Sequence, residues 1–338
     1  MIRFFENYSL RKHTTFGIEA KAKFFFEFTE SSDLIEMIQA NASFQEVNKL
    51  IIGGGSNYLF TQDFDGIVLH PNIPGIRILQ DDGRYVSVEA GAGVVWDDFV
   101  DYCVNEGLGG VENLSLIPGC VGAAPVQNIG AYGVEAKDVI ERVNVVDLKT
   151  AERYSMHHTE CKFGYRNSIF KHELKDKVIV SSVEFRLERQ NTVNLAYGRL
   201  KDEVSKYGDP TIKNVRKAVV AIRESKLPDP LEMGNAGSFF MNPVVEESHV
   251  NDLLQNYPDM PYYDVDGVRK KLAAGWLIEQ CGFKGCRKGD AGVHQDQALV
   301  LVNYGKAGGQ EILDLSEEIR TAVDKKFGVI LQREVIVV

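Results

Sequence analysis

IPGCVGAAPVQNIGAYG, residues 117–133, is the stretch on which the reading of the fold turns. Its seventeen residues hold four glycines (Gly119, Gly122, Gly130, Gly133) and two prolines (Pro118, Pro125), with Val, Ile and Ala between them. It is too apolar for a solvated linker and too rich in glycine and proline for a regular helix. A long buried loop of this kind leaves main-chain N–H and C=O groups that need a ligand or a neighbouring segment as partner.

Working outward, 15 of the 31 glycines lie in residues 53–133, so the excess is local. A second glycine loop, GGGSN at 53–57, follows the apolar segment KLII at 49–52. It lacks the Gly-Lys-Ser/Thr ending of a triphosphate loop, and YLF follows it instead of the helix that a G-x-G-x-x-G dinucleotide fingerprint opens. What survives is a tight turn with consecutive exposed N–H groups, either a plain turn or a nest able to bind phosphate without lysine. The two loops together suggest a dinucleotide held across two subdomains.

The rest of the chain has ordinary globular proportions. With 338 residues it suggests two domains, or three small ones, and its 44% apolar and 25% charged content supports a sizeable core. A net charge of −10 disfavours nucleic acid and anionic membrane as partners, so any bound anion needs local cations or N–H groups. One basic stretch (Lys213, Arg216, Lys217, Arg223 and Lys226 against Glu224) reads as a solvated helix face or an anion pocket. Five scattered cysteines without a CxxC pair fit a reducing cytosol, and His157-His158 has no nearby cysteine to complete a zinc site, so no metal is expected. The N-terminus does not read as a signal peptide, and no apolar run is long enough for a membrane span.

Periodicity predicts strands at 24–28, 49–52, 67–69, 85–89, 139–147 and 177–187. Helices are expected near 31–39, capped by Ser31-Ser32-Asp33, and at 95–104, 214–225, 271–281 and 310–327. The chain should close on one apolar strand, VILQREVIVV, in which Glu334 shares a face with Ile330, Ile336 and Val338. A carboxyl group on such a face should have a raised pKa if the face is dry; the alternative is a wet edge.

These two loops resemble UDP-N-acetylenolpyruvoylglucosamine reductase of bacterial cell-wall synthesis. So do GYRNSIF (164–170), KLPDP (226–230), GNAGSFFMNP (234–243) and the terminal Glu334. The motifs occur in order from Thr15 to the C-terminus, and LAYGRL points to the subfamily with a tyrosine-bearing insertion. The resemblance implies an α+β protein, with a two-subdomain FAD-binding fold of the vanillyl-alcohol-oxidase (PCMH) type and a C-terminal α+β substrate-binding domain. The expected parts are 1–74 with the closing strand 328–338, then 75–214, and 215–327 for the substrate. It also implies a cytoplasmic, monomeric oxidoreductase that uses NADPH and non-covalent FAD to reduce UDP-N-acetylglucosamine enolpyruvate to UDP-N-acetylmuramate, a step towards peptidoglycan and hence cell shape and division. No histidine occurs at 107–133, which fits an untethered flavin. The alternative is another flavin oxidase or dehydrogenase of the same fold, acting on a sugar or alcohol.

The resemblance assigns residues as well. Arg166 would bind the substrate carboxylate, Glu334 would assist it as charge develops, and Ser238 would give the proton to C2 while hydride reaches C3. FAD would lie on Gly53, Gly54, Gly55, Ser56 and Asn57, and on Gly119, Cys120, Val121, Gly122, Asn128, Ile129, Gly130 and Gly133. Tyr132, Tyr165, Tyr197, Lys226 and Asn242 would contact the sugar nucleotide. Two departures from the family pattern stand out: Met241 in place of a common lysine, and Asp290 where glycine is frequent.

Overall fold

Four phenylalanines in KAKFFFEF make Lys21–Phe28 a strand with an apolar side, and it pairs in parallel with Phe64–Pro71. Lys49–Ile51 pairs in parallel with the far side of Phe64–Pro71, and Ile2–Ser9 forms the opposite edge of this four-stranded sheet. The connecting helix, Ser31–Ala40, buries Leu34 and Ile38 against Phe26, Phe28 and Leu69. Its expected cap is corrected: Glu30 is the capping residue, no side chain caps the helix, and Ser32 Oγ bonds Glu30 instead. The computed structural model describes residues 2–189 and 192–338.

A second, antiparallel sheet has the order Arg153–His157, Ile140–Asp147, Val178–Glu188, Tyr85–Gly91, Ile76–Asp81. Trp96–Asn105 packs on it through Trp96, Phe99, Val100, Cys103 and Val104, the helical spacing read from the sequence. By contacts the chain forms two compact units. The first gathers the N-terminus through Tyr8, Ala22–Gly54 and Phe64–Ser225; the second gathers Ser9–Lys21, Gly55–Asp63 and Lys226–Val338. This division has no cut at 75, and its cut after Ser225 falls past 215 because the helix Ile212–Glu224 runs through 215 without a break.

The second unit has its own core around Phe239, Phe240, Leu277, Ile312 and Ile319. Gly309–Phe327 is the long helix expected there and ends on left-handed Gly328. The helix expected over 271–281 is corrected, since only Ala274–Gln280 is helical. Arg269–Leu272 is instead the central strand between Val244–Glu246 and Tyr262–Asp264, with the Lys270 charge met by Asp264 at 2.8 Å and Glu247 at 3.1 Å. The closing strand is corrected too. Only Ile336–Val337 is regular strand, paired in parallel with Tyr58–Leu59. Val329, Leu331 and Val335 are buried, whereas Ile330 is 65% and Ile336 36% exposed. Glu334 therefore alternates with the wet set of side chains. Among the described residues no helix is long and apolar enough to cross a membrane.

Candidate active site

Within the first unit the two glycine loops touch. A Cβ built on Gly54 would lie 2.9 Å from Gly119 Cα and 3.6 Å from Cys120 Sγ, a close approach only glycine allows. Burial pushes the Cys120 thiol up in pKa, against the opposing effect of a hydrogen bond from Gly54 N–H to its sulfur. The longer loop is tied down by its own backbone: Val121 N–H donates to Val94 O, Gly122 N–H to Ala92 O, and Ile129 N–H to Ala124 O. Those N–H groups are therefore taken up by protein. Among the described residues, the N–H groups of Gly53, Gly119 and Cys120 meet no protein acceptor.

The far end of the same loop gathers Arg166 and the tyrosines. Arg166 donates from Nη2 to Gly130 O at 2.6 Å and from Nη1 to Asn128 O at 3.5 Å, and its guanidinium lies 5.4 Å from the Tyr165 ring centre. Tyr132 meets Tyr197 edge-on with ring centres 6.0 Å apart. Asn113, missed in the sequence, is 1% exposed and donates to Tyr132 O and Asn194 O, so it fixes the insertion against the loop. Its Oδ1 is buried without a hydrogen-bond partner among the described residues. No periodic pattern marks it, because it lies in a single 3₁₀ turn, Glu112–Leu114. Asn128, expected at the cofactor, has its side chain wholly buried on protein partners.

The basic helix turns out to serve the loop's entrance. Arg216 forks onto both Asp97 oxygens at 2.7 and 2.9 Å, and Asp97 accepts Leu116 N–H at 2.5 Å. Burial pushes the Asp97 carboxyl up, but the hydrogen bonds from Arg216 and Leu116 outweigh it and hold the pKa below its ordinary value. Arg223 Nε donates to Leu116 O at 3.2 Å. Leu116 has φ 59°, so both its main-chain groups are clamped where the backbone is strained. Burial lowers the pKa of Arg223, and burial raises that of Tyr132 against the pull of the Arg223 charge.

The second unit holds the other two residues assigned to the chemistry. Gly55 has φ +64°, and a Cβ there would sit 1.8 Å from His13 O, so no side chain fits this turn. The buried Thr14 and Thr15 hydroxyls beside it have no hydrogen-bond partner among the described residues. Asn57 Nδ2 donates to Glu334 O at 3.1 Å, and Glu334 N–H donates to Phe239 O at 2.9 Å. Glu334 thus runs alongside the residue next to Ser238. A register shift between Asn235 and Ser238, with Gly237 at φ +66°, leaves Ser238 exposed at the end of Gly234–Ser238. Asn242 Oδ1 accepts Ala274 N–H at 2.9 Å and so holds a helix start, while Lys226 is exposed just after the basic helix. Asp290 ties a turn by accepting from Arg287 and from Lys306 N–H; nothing in the structure explains Met241.

Paired glycine loops with open N–H groups, and no room for a Cβ at their contact, fit the pyrophosphate of a dinucleotide. Residues 22–154 match the family described as FAD binding domain, so fold and loops together define a FAD-binding protein of α+β architecture. Residues 229–338 match UDP-N-acetylenolpyruvoylglucosamine reductase, C-terminal domain. The chain is 48% identical over 335 residues to the UDP-N-acetylenolpyruvoylglucosamine reductase of Flavobacterium johnsoniae, covering 98% of both. It is 48% identical over 331 residues to that of Bacteroides fragilis, again covering 98% of both. The crystal structure of the reductase from Thermus caldophilus shares the fold, with a TM-score of 0.68 at 23% identity over 100% of this chain and 98% of that one. The chain belongs to the UDP-N-acetylenolpyruvoylglucosamine reductase family.

Proposed function

We propose that this chain catalyses the NADPH-dependent reduction of UDP-N-acetylglucosamine enolpyruvate to UDP-N-acetylmuramate. The observation that carries the reading is 48% identity across 98% of the chain to reductases of that name. The chemistry supplied by bound FAD is relay of hydride from NADPH to C3 of the enolpyruvyl group. Gly53, Gly119 and Cys120 would hold its pyrophosphate through main-chain N–H groups, which suits a protein of net charge −10.

Hydride addition at C3 pushes negative charge through C2 into the carboxylate. Arg166 has the planar fork that matches a carboxylate, and Gly130 O and Tyr165 already orient it. Glu334 assists at the same carboxylate, its main chain fixed by Asn57 and Phe239. Ser238 gives its hydroxyl proton to C2. A hydroxyl is a weak acid, so the step needs a carbanion-like acceptor and close placement, and the exposed position of Ser238 leaves its Oγ accessible. Tyr132, Tyr165, Tyr197, Lys226 and Asn242 bind the sugar nucleotide in this reading. The acting unit in this reading is the monomer. Five unpaired cysteines support a reducing, cytoplasmic location. Measuring the two half-reactions separately tests the assignment: NADPH oxidation with enzyme alone, then reoxidation by the enolpyruvyl nucleotide.

A further inference from the structure

We propose that Asn128 is the positioning residue for Arg166: its amide fixes the turn that carries Arg166, and its carbonyl receives the guanidinium. The inference rests on the reading that Arg166 binds the substrate carboxylate. Arg166 has φ 51° in a tight turn in which Gly164 and Asn167 exchange main-chain hydrogen bonds at 2.9 and 3.1 Å. A residue in the left-handed region returns to a commoner conformation unless its surroundings hold it there. Asn128 Nδ2 donates to Gly164 O at 2.9 Å, at the base of that turn, and also to Glu135 Oε2 at 3.1 Å. Its Oδ1 accepts Lys137 N–H at 2.9 Å.

These three bonds fix the amide's orientation, since a flipped amide would set its N–H₂ against Lys137 N–H. Glu135 is itself held by Lys137 Nζ at 2.6 Å. Asn128 is 0% exposed and adopts φ 47°, a conformation that asparagine tolerates better than most residues. From the same residue the main-chain carbonyl meets Arg166 Nη1 at 3.5 Å, while Gly130 O meets Nη2 at 2.6 Å. Asn128 therefore holds both ends of Arg166, the backbone turn through its amide and the guanidinium through its carbonyl. Its side-chain amide is buried and bonded to Gly164, Glu135 and Lys137.

The test uses the FAD-loaded enzyme with Asn128→Gly, which keeps the left-handed backbone and removes only the amide. Reduction by NADPH should stay within about 2-fold of wild type. Reoxidation by UDP-N-acetylglucosamine enolpyruvate should slow by about 10- to 100-fold, the scale expected when a binding group is misplaced by about 1 Å. In an Arg166→Lys background the same substitution should add less than about 2-fold, because it acts through a guanidinium already gone. Should Asn128→Gly fail to fold, Asn128→Asp, which keeps volume and the acceptor for Lys137 N–H, carries the same test. An impaired Arg166→Lys alongside wild-type kinetics in the Asn128 variant, or losses that multiply in the double variant, would overturn the inference alone. An unimpaired Arg166→Lys would overturn the underlying reading of Arg166 and the inference with it.

Discussion

Replacing Gly54 by alanine puts a methyl carbon 2.9 Å from Gly119 Cα and 3.3 Å from Gly119 C, both main-chain atoms that cannot rotate away. Ordinary carbon–carbon contact begins near 3.5 Å, so the loops must part by about 0.5 Å. Overpacking of this kind costs about 1–3 kcal/mol. The free protein should relieve the strain by letting the loops separate, whereas a pyrophosphate held by N–H groups of both loops would need them together, so the cost should fall mainly on affinity. At 1.4 kcal/mol per factor of ten, FAD should bind about 5- to 150-fold more weakly. Gly53→Ala is the comparison, because its methyl would meet only Cys120 Cβ at 3.7 Å and Ala123 Cβ at 3.8 Å, contacts the protein accepts. Its effect on stability without FAD should stay within about 0.5 kcal/mol, so any lost affinity there reports the approach of the ligand itself. Titrating FAD into each deflavinated variant while following flavin fluorescence measures both. Wild-type affinity in Gly54→Ala would refute the claim that the contact between loops shapes the FAD site.

Ser238→Ala should leave reduction by NADPH nearly normal and slow reoxidation by substrate by at least ~10²–10⁴, the loss typical of a general acid; equal losses in both halves would make the serine structural. Glu334→Gln should show the same asymmetry in stopped-flow traces, and unimpaired turnover would remove Glu334 from the chemistry. Arg216→Gln should cost about 1.5–3 kcal/mol at neutral pH by breaking the bidentate pair with Asp97. Because the folded Asp97 pKa is lowered, that contribution is full above the unfolded value near 4 and fades as pH falls through the folded value, so wild type and variant should converge in acid denaturation curves. Gly55→Ala should cost about 2–4 kcal/mol, from a left-handed backbone and a methyl at 1.8 Å from His13 O, and should show as a lower thermal midpoint.

Elements with one buried side were legible in the sequence, because burial writes a period into the residues. KAKFFFEF, the helix Trp96–Asn105 and the helix Gly309–Phe327 all fall where periodicity places them. The strand Arg269–Leu272 was not, since three adjacent cations carry no apolar alternation and acidic neighbours stabilise it only in three dimensions. For Glu334 the alternation was legible but not which side is wet: Val329, Leu331 and Val335 are buried, and Ile330 and Ile336 on the Glu334 side are exposed. At the site, the glycine loops announced themselves by composition. The clamps on them did not: Asp97 with Arg216, Asn113 with Asn194 and Asn128 with Gly164 are pairs of residues far apart along the chain. Asn242 shows the same limit from the other side, a motif residue whose carbonyl oxygen here accepts from a helix start.

The central claim is that the protein passes hydride from NADPH to an enolpyruvyl sugar nucleotide through FAD. An anaerobic titration of the yellow holoprotein tests it most directly. NADPH should bleach the flavin, and one equivalent of UDP-N-acetylglucosamine enolpyruvate should restore the colour and yield UDP-N-acetylmuramate, far faster than air restores it. Colour that returns with oxygen at a comparable rate, and is indifferent to the enolpyruvyl nucleotide, would contradict the account.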